Sequence, residues 1–261
     1  MTTAEHLAEL SHHAYYAGEI DVGRRACEKA LRLDDLPESL EHQVRSNRVW
    51  YSQTLSDFTS AAMTPIEIEP AHPGWSLFNP TLFDDSFTGP PLLLVRSSNY
   101  RIEGGRYVIP PEDGNRIRTE NILCRIDGGF RIVVGDPRVL QCSHHEKNWM
   151  PIVGLPSSWL HSCSVDGYTT TVDPDPTLPG GWRVFRRGKA PPVARGFRGG
   201  SQLVPIGSKG WLAVIHEVAA FGNHRAYEHR FVAFDRDLCI SAVSPPFAFL
   251  EAKTVEFAAG M

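Results

Sequence analysis

Two stretches decide the reading of this chain: residues 147–164, KNWMPIVGLPSSWLHSCS, and residues 199–218, GGSQLVPIGSKGWLAVIHEV. Each opens on a polar or Gly-rich entry and places a short apolar pair ending in proline, Met150-Pro151 or Val204-Pro205. Each then turns through glycine and resumes as a longer run that begins Trp-Leu, at Trp159-Leu160 or Trp211-Leu212. One strand–turn–strand unit occurring twice favours a β-propeller over a sandwich, because propeller blades are copies of one supersecondary unit.

Outward from these stretches the same texture continues. Past Pro65, short apolar or alternating runs recur at PLLLVRSS, RYVIP, NILCRID, FRIVV, MPIVG, SWLHSCSV, TTTVD, WRVF, QLVPI, GWLAVIHEV, HRFVAFD and CISAVS, separated by Gly, Pro, Asp or Asn. Many short strands at even spacing indicate an all-β architecture. Residues 65–261 are enough for roughly four blades of four strands. The chain holds 22 glycines and 20 prolines, and only Gly18, Gly23 and Pro37 precede residue 65. Both residue types break helices, so no long-helix bundle follows that point. With 42% apolar residues the chain builds a core and is not disordered as a whole.

Before residue 65 the period is helical. Leu7, Leu10 and Ala14, then Ala26, Ala30 and Leu33, fall on helix faces, with Gly18-Glu19 breaking the pattern and Pro37-Glu38 opening a third helix. AYYAGEIDVGRRACEKALRLDD, residues 14–35, resembles a tetratricopeptide repeat through Leu10, Gly18-Glu19, the small Gly23, Ala30 and Leu33. A single copy lacks the neighbours a solenoid needs. The reading is therefore a helical cap on the next domain, with a peptide-binding groove as the alternative and a protein partner as its implication. The expected organisation is a helical hairpin over 1–57, a linker over 58–74 and a propeller-like domain over 75–261.

Residues 1–64 carry 6 Lys/Arg against 10 Asp/Glu, and the remainder is balanced, for a net charge of −4. That excludes a basic nucleic-acid domain or a polybasic membrane patch. MTTAEHLAEL lacks the basic and apolar regions of a signal peptide, and no apolar run is long enough to insert in a membrane. Five cysteines at irregular spacing suit a reducing cytoplasm better than a disulfide framework. Cys142, His144, His145, His161 and Cys163 hold enough soft ligands for zinc, but their spacing matches no standard zinc module, so no metal is expected. No cofactor motif is present either.

GGSQLVPIGSKGWLAVIHEV, followed by YEHRFVAFD and SPPFAFLEAKTVEFAAGM, resembles the mannoside phosphorylase and hydrolase family, glycoside hydrolase family 130. HEKNWMP resembles that family's Lys-Asn strand start, and GWSLFNPTLF with the strand ending in Arg96 resembles its first blade. Through Tyr100–Pro110, Ile117–Asn121, His145–Pro151 and His229–Asp235, the whole chain also resembles bacterial proteins that join a tetratricopeptide-like region to such a propeller and are described as glycosyltransferase-related. The resemblance implies a five-bladed propeller with its site in the central funnel. It implies action on, or binding of, bacterial glycans, by glycosyl transfer or by phosphorolysis of mannosides.

Cleaving a glycosidic bond with inversion needs an acid and an opposed nucleophile, and phosphorolysis replaces the second carboxylate by charge-assisted donors. Position in the matching motifs assigns Arg96, Lys147 and His216 to an anion, with Asn148 and Asn79 on sugar hydroxyls. Trp149 and Tyr100 are candidate sugar platforms. Asp136, Glu146 and Glu217 are the candidate acids. Gly135-Asp136-Pro137-Arg138 supplies the D-P-R of the family's acid motif, but only eight residues separate Arg138 from Lys147 where the family has about a blade. Asp-Pro is also a common turn opener, and Asp136 is expected in a turn. By the family pattern the chain is one blade and its closing strands short. The alternative function is a non-catalytic glycan-binding or scaffold module, in which Arg96 is a solvated strand-end cation and Lys147-Asn148 a turn.

Overall fold

The computed structural model describes the chain except residues 55–71, 84–91, 105, 112–113, 115, 127–131, 141–148, 156–157, 166, 176, 179–181 and 222–223. The described residues are mainly β with three α-helices, α1 (Thr3–Tyr16), α2 (Ile20–Ala30) and α3 (Glu38–Tyr51). Thr2 and Glu5 start α1 by reciprocal capping, Thr2 N donating to Glu5 Oε2 at 2.6 Å and Glu5 N to Thr2 Oγ1 at 3.2 Å. The helices close on one apolar cluster that includes Leu7, Ala26, Cys27, Ala30, Val44 and Tyr51. Glycine is required where α2 meets α3: a Cβ on Gly23 would lie 2.2 Å from the Tyr51 ring.

The strands form three four-stranded antiparallel meanders. The first is β2 (Ser76–Phe83), β3 (Leu92–Ser98), β6 (Thr119–Ile126) and β7 (Ile132–Leu140), with the hairpin β4 (Arg101–Glu103) and β5 (Arg106–Val108) inserted between β3 and β6. The second is β8 (Met150–Pro151), β9 (Trp159–Val165), β10 (Tyr168–Pro174) and β11 (Trp182–Lys189). The third is β12 (Val204–Pro205), β13 (Trp211–Phe221), β14 (His224–Phe234) and β15 (Ile240–Val243), extended from β14 by β16 (Phe247–Ala248) and β1 (Gln53–Thr54). The apolar runs named above all fall on strands.

The internal repeat is structural. In the second meander Met150 pairs with Leu160 and Pro151 with Trp159; in the third, Val204 pairs with Leu212 and Pro205 with Trp211. The two units are also joined, through an Ile152–Leu203 bridge and a bond from Trp211 Nε1 to Val153 O at 3.0 Å. Met150, Ile152, Leu160, Leu203, Ile215 and Phe234 share the apolar cluster between them.

One local expectation is corrected. Asp136-Pro137 does not form a turn but lies in β7, where the β6–β7 register jumps between Leu123↔Arg138 and Arg125↔Val133. A β-bulge tolerates the proline's missing N–H there.

Candidate functional site

The long hairpin β13–β14 has two polar faces, because adjacent strand residues point to opposite sides. Ile215, Glu217 and Ala219 point one way with their cross-strand partners Arg230, Glu228 and Ala226. This face meets the helices: Val49 of α3 packs on Ala219 and Ala226. Around that contact lies a buried ionic network. Arg48, fully buried, donates to Glu228 Oε2 through Nε at 2.9 Å and Nη2 at 2.7 Å, and its Nη2 is 3.1 Å from Glu217. Glu217 also pairs with Arg45 and with Arg230, whose Nη2 reaches Glu28 at 2.9 Å. Arg45 and Arg195 both bind Glu41, and Ser52 donates to Glu228. Four arginines face four glutamates, so the network is neutral overall, with Arg48, Arg230, Glu217 and Glu228 buried and Arg195 at its exposed edge.

This network corrects the reading of Glu217 as a candidate acid. Burial opposes its charge, but Arg48, Arg230 and Arg45 overcome that and hold its carboxyl far below the usual range. A carboxylate so held gives up no proton at neutral pH.

The opposite face carries His216 and His229, directly paired across the hairpin and 1% and 0% exposed. Tyr227 stacks on His216 with centroids 4.7 Å apart, and Phe257 meets it edge-on. The strand-like segment leading from the 199–218 motif lies alongside: Arg198 and His216 exchange backbone bonds of 2.8 and 3.3 Å. Gly200 is required there, since a Cβ would lie 2.2 Å from Val214 O. Thr81 Oγ1 then donates to Gly200 O at 3.1 Å, which ties β2 to this edge.

The first meander supplies a second polar row. Phe78, Arg96 and Asn121 pair in line across β2, β3 and β6 and so share one face. The Arg96 guanidinium lies 5.0 Å from the Phe78 ring centroid. Asn79, at the β2 bulge beside Phe78, adopts φ +46°, a conformation asparagine tolerates. The Arg96 charge adds a small part to the lowering of the His216 pKa.

Their roles change. Burial, then His229, Arg198 and Arg96, push the His216 imidazole down to about 3, against a partial opposing effect from its bond to the Gly199 backbone. His216 is neutral at physiological pH and is not a cation for an anion. The neutral ring offers one N–H and one lone pair. Nδ1 has no partner among the described residues, nor have Arg96 Nε, Asn121 Nδ2 or either nitrogen of His229. Glu256 Oε2 lies 3.6 Å from His229 Nε2.

The other expected residues sit elsewhere or differently. Trp149 is 1% exposed in a cluster with Leu92, Leu94 and Trp159, edge-on to Trp182 and His161. Tyr100 is 4% exposed, stacked on Phe78 and edge-on to Tyr107. Neither ring offers an open face, which corrects their reading as sugar platforms. Lys147, Asn148 and Glu146 lie outside the described residues, as do Cys142, His144 and His145. Asp136 is placed only by its backbone in β7. The four described cysteines are free thiols, and burial raises Cys27 and Cys163 to about 12. No group of three or more metal-ligating side chains occurs among the described residues.

Asn121, Arg198 and His229 were missed as site residues, although Asn121 and His229 stand inside quoted motifs. Their signal was positional: Asn121 is the cross-strand partner of Arg96, and His229 that of His216.

No protein-family model and no curated protein sequence matches the chain. Among solved structures, a β-1,2-mannobiose phosphorylase from Listeria innocua in complex with β-1,2-mannobiose aligns at a TM-score of 0.37 and 12% identity, over 74% of this chain and 85% of that one. No described helix is long and apolar enough to cross a membrane.

Proposed function

We propose that this protein binds a glycan through the polar rows of Arg96, Asn121 and His216, flanked by Asn79, Arg198 and His229. The observation that carries the proposal is the mixed set of unpartnered buried atoms. Arg96 Nε and Asn121 Nδ2 are donors, and His216 Nδ1 donates or accepts according to the tautomer of the neutral ring. A buried polar atom without a partner costs about 1 to 3 kcal/mol, so such a set is normally completed by something else. Sugar hydroxyls both donate and accept, and so complete it. A sugar phosphate would gain no charge from a neutral His216, so its anion would depend on Arg96 and Arg198. The motif resemblance to the mannoside family supplies the substrate class, mannose-type bacterial glycans. The mannobiose phosphorylase aligns too loosely to carry its activity over.

The non-catalytic version is the one favoured. Among the described residues the His216 face holds no carboxyl group free to protonate a leaving oxygen. Glu217 faces the arginines, and Glu256 accepts from the amides of Phe249 and Leu250 at 2.8 and 3.2 Å. If transfer or phosphorolysis occurs, the acid falls to Asp136 or Glu146, and Lys147 and Asn148 keep the roles the resemblance gives them. The test is titration of manno-oligosaccharides by tryptophan fluorescence, with phosphate release and consumption followed in parallel. The expected result is saturable binding that Asn121→Ala and Arg96→Ala each weaken about tenfold or more, without turnover. Binding unaffected by both substitutions would sink the site.

A further inference from the structure

One short segment lays Phe257 against His216 and Glu256 beside His229, among the rings of Tyr227, Phe247 and Phe249, and the way it is held has a functional meaning. After β16 the chain turns at Leu250–Lys253, closed by a bond from Lys253 N to Leu250 O at 3.1 Å. Lys253 sits at φ +46°, the left-handed region a lysine rarely enters. From there residues 254–261 cross the histidine face with no strand ladder. Phe257 lies edge-on over His216, centroids 5.7 Å apart, and Ala258 packs on Val214 and Phe247.

The attachments are few and sit at the two ends. At the near end Lys253 Nζ donates to Val49 O at 2.6 Å and Tyr227 N to Thr254 O at 3.0 Å. Glu256 accepts from Phe249 and Leu250 as given above. At the far end Leu82 N donates to Ala259 O at 2.7 Å, and the Gln202 side chain holds the Met261 backbone at 2.9 and 3.1 Å. Segments with few backbone bonds open at low free energy while the sheets beneath stay folded.

We infer that residues 254–261 form a strap over the glycan site, hinged at Lys253 and released at Gln202, and that sugar reaches His216 only when the strap lifts. This rests on the glycan-binding reading above. It also joins the helices to the site, because the hinge lysine is bound to the last turn of α3.

The closed state lowers apparent affinity by the fraction of molecules that are open. Gln202→Ala removes the outer of the two far attachments, leaving the Leu82–Ala259 bond, without touching the polar rows, and Phe257→Ala removes the ring against His216. Stopped-flow tryptophan fluorescence with manno-oligosaccharides measures association in the full chain and both variants. The expected result is an association rate raised several-fold in each, with apparent affinity rising by up to about tenfold. Native-state hydrogen exchange without sugar should show residues 254–261 opening faster in both variants while β13 and β14 stay protected.

Unchanged association rates in both variants would make the strap a fixed element and overturn the inference, leaving the glycan reading standing. Weakened binding in both would make these residues ligand contacts and overturn it equally. Absence of sugar binding in the full chain and in both variants would remove the glycan reading and the strap with it.

Discussion

Replacing Arg48 by methionine removes one cation from a site where nothing can substitute for it. The side chain is fully buried, and its loss leaves Glu228 with the Ser52 hydroxyl and the more distant Lys253 charge among the described residues, while Glu217 keeps Arg45 and Arg230. Burial opposes the Arg48 charge, yet Glu217, Glu228 and Glu28 raise its pKa, so the ion is stabilised by its partners and not by water. Breaking such a buried pair from one side costs about 3 to 5 kcal/mol, a large part of a domain's total stability. Urea unfolding followed by far-ultraviolet circular dichroism and by tryptophan fluorescence measures the cost. Both probes should report one shared transition, moved to lower urea, because helix α3 and strands β13 and β14 hold the network between them. Adding Glu228→Leu should recover most of the loss, since an apolar pair of similar volume replaces an ion pair at little cost. A loss under about 1 kcal/mol, or separate helical and sheet transitions, would refute the buried network as the junction.

Three further outcomes follow from the same geometry. His216 has its folded pKa depressed to about 3 from 6.5, so between those values the unfolded chain binds a proton that the folded chain does not. Stability therefore rises with pH across that window and is lost on acidification, with a limiting slope of about 1.4 kcal/mol per pH unit. The slope should be read between pH 5 and 6.5, above the range where Glu217 contributes, and His216→Gln should flatten it; an unchanged slope would show that His216 is not buried neutral. Gly23→Ala forces a methyl against the Tyr51 ring and should cost about 1 to 3 kcal/mol in chemical unfolding, partly relieved by Tyr51→Leu. Cys27 and Cys163 should resist a thiol-specific reagent in the native protein and react on denaturation, whereas half-exposed Cys239 should react first of the three. Native labelling of Cys163 at the rate of Cys239 would contradict its burial.

The sheet elements were legible because strands announce themselves by alternation and punctuation, and the repeat in residues 147–164 and 199–218 even foretold a shared register. The helices were legible through Leu7, Ala26 and Leu33 for the same reason. What the sequence hid was facing. His216 and Glu217 are adjacent letters, and only the placement of α3 shows which of them meets arginine and which meets aromatic rings. The charge state of His216 was equally hidden, because it depends on burial under Phe257 and Tyr227, residues 41 and 11 positions away. Trp149 and Tyr100 were misread because an aromatic at strand spacing gives no sign of which face it lines. Asp136-Pro137 looked like a turn because the bulge that admits it is set by the partner strand.

The adjacency of His216 and Glu217 makes β13 intolerant of any change in phase. Deleting one residue from the turn Ile206–Gly210 and re-pairing the strand would exchange its two faces. The carboxylate would then stand among the rings and beside Arg96, and the imidazole among four glutamates and four arginines. Neither surrounding would accept its newcomer, so length in that turn is under the same constraint as the site itself. An engineer wishing to retune this protein has latitude in residue identity around Arg96 and Asn121, but none in the count of residues between Pro205 and Trp211.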